Sequence, residues 1–363
     1  MTLILAVILV ALIFEYINGL HDTANCIAAV VSTKALTPRM AIVLAASTNL
    51  LGALSGTAVA KTVAAGLVDP TVVTSQVLIC ALVGAILWNI LTWWFGLPSS
   101  SSHALIGGLC GASLAAAKND WAVIVWSQPA ADHWWHGKGV LWKVIVPMIT
   151  SPMCGFVLAF VFMAVLYVAL QRFRPRTINT TFSKLQLLSA GSMGFMHGTN
   201  DAQKTMGIIA LALVAGTKAG FFVGLPDWLG FLRLEAHGGK EMEIPVWVKT
   251  VCALTMAAGT AAGGWRIIRT LGQKMVKLQP INGFASDTAS AAIIALATHY
   301  GIPVSTTHNV SAAIMGVGAA RRFDAIKWTV VERMVWAWIL TLPVAGAIAY
   351  AAVELFRLFG WIQ

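Results

Sequence analysis

Two aspartates with matching neighbours hold most of the chemistry that this chain can offer. Asp22 lies in Asn18-Gly19-Leu20-His21-Asp22-Thr23-Ala24-Asn25, and Asp201 in His197-Gly198-Thr199-Asn200-Asp201-Ala202-Gln203-Lys204. A second motif is doubled in the same order: Leu97-Pro98-Ser99-Ser100-Ser101-Ser102-His103, then Ile302-Pro303-Val304-Ser305-Thr306-Thr307-His308. Carboxylates take protons or hold cations, whereas hydroxyls gathered at a helix start donate to an oxyanion. All four motifs lie in strongly apolar sequence, where ionisable groups are costly and usually functional.

The proline motifs suit an anion. Pro98 and Pro303 favour the start of a helix, whose N-terminus presents free N–H groups and partial positive charge. Ser100, Ser101, Ser102, Ser305, Thr306 and Thr307 would add hydroxyl donors, so that two helix ends grip a tetrahedral anion from opposite sides. The plain alternative for each motif is ordinary helix capping. Carboxylates beside an anion make sense once its protonation is considered. Hydrogen phosphate keeps a P–OH donor near neutral pH and sulfate has none, so Asp22 and Asp201 would accept from phosphate and repel sulfate. The flanking glycines are read as relaxing the helix at each signature.

Lys204 breaks the symmetry, since Asn25 is its counterpart. Its ammonium would neutralise phosphate, pair with Asp201, or fill a sodium position, the last of which favours proton coupling; snorkelling to an interface is the plain alternative. His103 and His308 are candidates for a proton relay or for bonding the broken-helix backbone. Asp287, on a small-residue stretch ahead of the second proline motif, is a secondary candidate, ahead of Glu15 and Glu332. Gly52 with Gly56, and Gly107 with Gly111, have the spacing of helix-packing surfaces.

The elements that carry these residues must cross a membrane. The chain has 363 residues, 58% hydrophobic and only 10% charged, with a mean hydropathy of +0.79. A soluble domain is about 25% charged. A span needs roughly 20 apolar residues, and about ten such stretches can be drawn. They cover 1–32 (interrupted near 18–25), 40–66, 72–96, 98–117, 144–170, 185–224 (interrupted near 197–204), 246–265, 280–300, 303–320 and 328–359. The first lacks a basic start and a cleavage site, so it reads as a retained helix. The expected fold is an all-α polytopic membrane protein.

The net charge of +10 is a matter of topology rather than of nucleic-acid binding. Lys34 and Arg39, Arg172 to Lys184, Arg266 to Lys277, and Arg321 to Lys327 all sit in short connections, as the positive-inside rule requires. Both termini are then outside, with Asp69, Asp120, Asp132, Asp227, Glu235, Glu241 and Glu243. The 118–143 connection reads as an amphipathic surface segment with Trp121, Trp126, Trp134 and Trp135 at headgroup level. Five cysteines, Cys26, Cys80, Cys110, Cys154 and Cys252, show no paired spacing and read as packing residues.

Motifs recurring in one order, with an odd number of spans per half, imply two inverted repeats with broken helices at the midplane, the pattern of a secondary transporter. The divisions expected are 1–170, a basic cytoplasmic linker at 171–184, and 185–363. Rival readings fare worse. A hydrolase would not need its site duplicated, and neither GxSxG nor HExxH is present. An ATP-driven pump lacks both the phosphate-binding loop and a nucleotide domain. A carrier of another oxyanion, such as sulfate, would share the fold, and a passive channel stays open on pattern alone.

These residues resemble the inorganic phosphate transporter (PiT) family. The resemblance rests on Gly19 to Asn25, Gly198 to Lys204, Pro98 to His103 and Pro303 to His308, and covers both halves. The wording is most similar to the bacterial low-affinity phosphate permeases. It implies phosphate symport at the bacterial inner membrane, with Asp22, Asn25, Asn200 and Asp201 and the Ser/Thr groups associated with phosphate and coupling ions. It also implies proton coupling, often with a neutral divalent metal–phosphate complex as cargo. Sodium coupling is the alternative, and His21 and Lys204, both standing where Asn is expected, weigh against it. No cofactor or resident metal is expected. The partners expected are phosphate, protons or sodium, the lipid bilayer and a second copy in a homodimer.

Overall fold

The computed structural model describes residues 2–65, 67–128, 137–224, 226–234 and 243–362. Trp134, Trp135, Asp132, Glu235 and Glu241 therefore lie outside the described residues. The first half runs through α1 (Thr2–Ser32), α2 (Pro38–Ala53), α3 (Ala58–Ala65), α4 (Ser75–Phe95), α5 (Ser101–Ala116) and α6 (Val146–Leu170). The second runs through α7 (Pro175–Lys218), α8 (Val246–Ala262), α9 (Trp265–Arg269), α10 (Pro280–His299), α11 (Thr306–Ala319) and α12 (Trp328–Leu358). Among the described residues, α1, α4, α12 and the stretch Leu141–Leu170 are long and apolar enough to cross a membrane. Two bent pairs, α2–α3 and α8–α9, make six if each counts as one span.

The halves use the same devices at the same places. The α2–α3 pair bends by 69° and the α8–α9 pair by 59°. Gly56 (φ +90°) and Gly263 (φ +73°) stand at these bends, where a side chain would strain the backbone. Gly56 thus stands at a bend between two helices and not on the helix-packing face that its spacing suggested. Gly96 closes α4 in a left-handed turn and Gly301 (φ +62°) follows α10, each leading into an extended proline segment. Ser100 then caps α5 and Ser305 caps α11, accepting from His103 N (3.2 Å) and His308 N (3.1 Å). Pro152 lies inside α6 and Pro343 inside α12.

Packing crosses between the halves. A Cβ on Gly19 would meet the Met256 carbonyl oxygen on α8, and one on Gly259 would meet that of Tyr16 on α1. In the same way Gly198 meets Asn49 and Gly52 meets Phe195, locking α2 to α7. Gly107 and Gly111 of α5 lie against Leu342 and Gly346 of α12, while Gly316 of α11 lies against Phe156 of α6. Such close backbone approach is the usual means of helix association in lipid.

This packing corrects one expectation. Neither α1 nor α7 is interrupted at its signature; both run as continuous α-helix through 18–25 and 197–204. Gly19 and Gly198 serve the contact with the neighbouring helix, and the breaks fall at the two bends and before α5 and α11 instead. Residues 175–184 of the expected linker form the first turns of α7.

In the 118–143 connection Trp121 and Trp126 are exposed and stacked with centroids 6.0 Å apart. They border an apolar cavity of about 540 Å³ with Gly107, Leu342, Pro343 and Tyr350. All five cysteines are free; Cys26, Cys80 and Cys252 are buried as packing residues should be, whereas Cys154 is exposed.

A candidate substrate site where the four motifs meet

α1 and α7 run antiparallel. Glu15 of α1 bonds Thr205 of α7, Asp22 lies beside His197 and Asp201, and Thr33, just past α1, donates to Gln186 (2.7 Å). This brings Asp22 and Asp201 together in the buried middle of the molecule, each about 2% exposed or less. One ligand atom each from Asp22, His197 and Asp201 lies within 4.8 Å of the others, a grouping suited to a cation.

The N-terminus of α11 sits between the two aspartates. Thr307 Oγ1 donates to Asp22 Oδ1 and Thr306 Oγ1 donates to Asp201 Oδ2, each at 3.1 Å. Asn25 Nδ2 donates to both hydroxyls, at 3.0 Å to Thr307 and 3.3 Å to Thr306. Two adjacent side chains at one helix start thus reach one carboxylate from each half. β-branched Thr has a stiff χ1, so these hydroxyls are held in place rather than free to rotate.

The N-terminus of α5 enters from the other side through Lys204. Its ammonium donates to Asp201 Oδ1, to Ser102 Oγ and, at 3.0 Å, to the Val304 carbonyl. Lys204 is 3% exposed, so of the readings open to it from sequence, the pair with Asp201 is the one the structure displays. Snorkelling does not occur.

A second layer holds the aspartates. His21 Nδ1 lies 2.8 Å from Asp22 Oδ1, and its Nε2 faces Thr92 (3.1 Å) and Ser99 (3.3 Å). His197 Nε2 is 3.1 Å from Asp201 Oδ2, close enough for charge pairing though off the line of a hydrogen bond. Its Nδ1 faces Asn49 Oδ1 at 3.1 Å, and Asn49 in turn donates to Thr260 (3.1 Å). Gln203 turns away, accepting from Val59 N and Ala60 N where α3 begins beyond the bend.

The remaining candidates divide. Ser100 and Ser305 are the helix caps described above. Asn200 Nδ2 donates to Thr298 (2.8 Å) and to the Ile302 carbonyl (3.3 Å). His103 and His308 meet edge to face with centroids 4.8 Å apart, and His308 stacks on Trp338 at 4.3 Å. Asp287 is buried on α10, but no hydrogen bond among the described residues joins it to the cluster. Asn49, Thr92, Ser99, His197 and Thr260 were not among the site candidates. His197 carried a signal: it stands four residues before Asp201 and opens the repeated motif. Asn49 and Thr260 are polar residues in apolar stretches, with nothing in the sequence to say which motif they serve.

With both doubled motifs gathered into one cluster, the comparison with known proteins becomes specific. Residues 18–349 match the phosphate transporter family. The chain belongs to this family. A Rhizobium meliloti (strain 1021) protein described as a probable low-affinity inorganic phosphate transporter is 44% identical over 357 residues, 97% of either chain. A Bacillus subtilis (strain 168) protein of the same description is 42% identical over 353 residues, 96% of either chain. The solved structure of a protein called the sodium-dependent phosphate transporter shares the fold, with a TM-score of 0.79 over 99% of this chain and 100% of its own, at 21% identity. The transporter is thus a multi-pass membrane protein that takes phosphate as substrate, and its family is one of transporters and not of enzymes.

Proposed function

We propose that this transporter is a proton-coupled phosphate symporter whose site is the cluster joining Asp22, Asp201, Lys204 and the first turns of α5 and α11. The observation that carries this reading is Lys204, buried between Asp201 and Ser102 where a sodium-coupled design would need room for a cation. A fixed ammonium there supplies the positive charge permanently, which leaves a proton as the ion to be moved.

Phosphate would be held by Ser101, Ser102, Thr306 and Thr307 at two helix starts, whose first-turn N–H groups precede any intrahelical bond. Ser100 and Ser305, as caps, hold those turns open. Among the described residues Ser101 Oγ, Asn25 Oδ1 and Asn200 Oδ1 are buried with no partner, as groups awaiting a ligand would be. Asp22 and Asp201 would accept the P–OH of hydrogen phosphate and turn sulfate away. His103 and His308 stand next to the two helix starts as relay candidates, and Asp287, buried on α10, is a further candidate for the coupling ion or proton.

The architecture would be two inverted repeats, 1–170 and 185–363, an arrangement supported by the antiparallel α1 and α7 and by the matched bends. Both termini would lie outside the bacterial inner membrane, with the basic connections in the cytoplasm. A homodimer in the bilayer completes the expectation.

A second reading, sodium coupling, is favoured by the cation-sized grouping of Asp22, His197 and Asp201. Radiolabelled phosphate uptake into proteoliposomes separates the two. The proton reading requires uptake driven by an imposed pH gradient, insensitive to excess sulfate. Uptake driven only by a sodium gradient would overturn it. Dependence on magnesium would identify a divalent metal–phosphate complex as the cargo.

A further inference from the structure

Glu15 lies on α1 two turns before Asp22, with none of its surface exposed. Its Oε2 accepts from Thr205 Oγ1 of α7, and its Oε1 has no partner. Asn18, one turn further along the same face, interacts with Glu15 and also carries a buried Oδ1 without a donor. The ionisable groups that act on Glu15 from the helices packed against α1 are Asp201 and Lys204 of α7 and Cys252 of α8. Lys204 is already committed to Asp201 and Ser102. An ionised Glu15 would therefore stand in a water-excluded place with no counter-ion of its own and a second carboxylate nearby, a costly arrangement. One added proton removes the buried charge while the hydrogen bond from Thr205 stays in place.

We propose that Glu15 is the carrier of the coupling proton, set apart from the phosphate-binding cluster and joined to it through Thr205. The step is simple: the carboxylate takes one proton on the outer side and gives it up on the inner side, and no electrons move. Thr205 directly follows Lys204 in α7. A movement of the α7 backbone at Lys204 also moves the hydroxyl that holds Glu15, which would link the loading of substrate to that of the proton. The inference rests on the proton reading of the function and assigns that proton to one atom group.

The test uses the full chain in proteoliposomes with a pH-sensitive dye inside. Parent protein should move protons inward with phosphate. Glu15→Gln should cut pH-gradient-driven net uptake by about tenfold or more and abolish the accompanying proton signal, while phosphate–phosphate exchange persists with KM changed by no more than about twofold. Glu15→Asp should retain proton movement with a displaced pH profile, and Thr205→Val should displace it as well. Glu15→Gln with the parent's proton signal would overturn the assignment. So would loss of exchange alongside uptake in folded protein, which would mark Glu15 as structural. If Glu15→Gln cannot be purified, an unchanged pH profile in Glu15→Asp is the overturning result. A parent that moves no protons fails at the earlier step and removes the functional reading along with this one.

Discussion

Lys204 and Ser102, 102 positions apart, are joined by a hydrogen bond in the buried centre of the protein. The same ammonium holds Asp201, one turn back on its own helix. One side chain thus ties the signature of the second half to the proline motif of the first. The link is charged, and removing it has a calculable effect. Taking one member from a buried pair costs about 3–5 kcal/mol, because the other charge is left uncompensated.

Lys204→Asn should therefore destabilise the transporter in sodium-free buffer and make its stability depend on sodium. Thermal unfolding in detergent, with and without sodium, reads this directly. Uptake by the same variant should shift from the pH gradient toward the sodium gradient. Equal stability in both buffers would mean that no cation takes the lysine's place.

Thr306 and Thr307 share Asn25 and divide the aspartates between them. Thr307→Ala removes a hydroxyl bonded to a charged group, worth about 1.5–3 kcal/mol. Apparent phosphate affinity should fall roughly 10- to 100-fold, at 1.4 kcal/mol per decade. Thr306→Ala should do the same, and Thr307→Ser should restore most of the loss. Transport kinetics at varied phosphate concentration provide the comparison.

Replacing Gly198 by alanine would drive a methyl into the Asn49 carbonyl on α2. Gly19→Ala does the same against Met256. Both should cost about 1–3 kcal/mol through overpacking, seen as a lower unfolding temperature. Gly191→Ala is the matched control on the same helix, with its nearest neighbours at 3.7 Å and 3.8 Å, and should be tolerated.

Ser100→Ala and Ser305→Ala should each lose about 1 kcal/mol as lost helix caps. Their effect on phosphate affinity should be smaller than that of Thr307→Ala. The reverse order would make the two serines ligands first and caps second.

The four motifs and their order were legible because they are local: a carboxylate among small residues, and a proline ahead of hydroxyls. The cross-pairing that gives them meaning was not. Gly19 looked like a helix breaker because its reason for being glycine, the Met256 carbonyl, lies far along the chain. His197 was visible as part of a repeat, but its bond to Asn49 depends on how α2 meets α7. Asp287 looked suitable from its position before the second proline motif. It is buried on α10 with no hydrogen bond to the cluster among the described residues, and a one-dimensional pattern does not record such distances.

The reciprocal glycine contacts also bear on how the protein is made. A ribosome delivers α1 and α2 to the membrane long before α7 and α8 exist. Until then Gly19 and Gly52 have only lipid, or one another, to face. In the finished protein their small-residue grooves are covered only by helices of the second half, so the first half alone leaves them without the partners they fit.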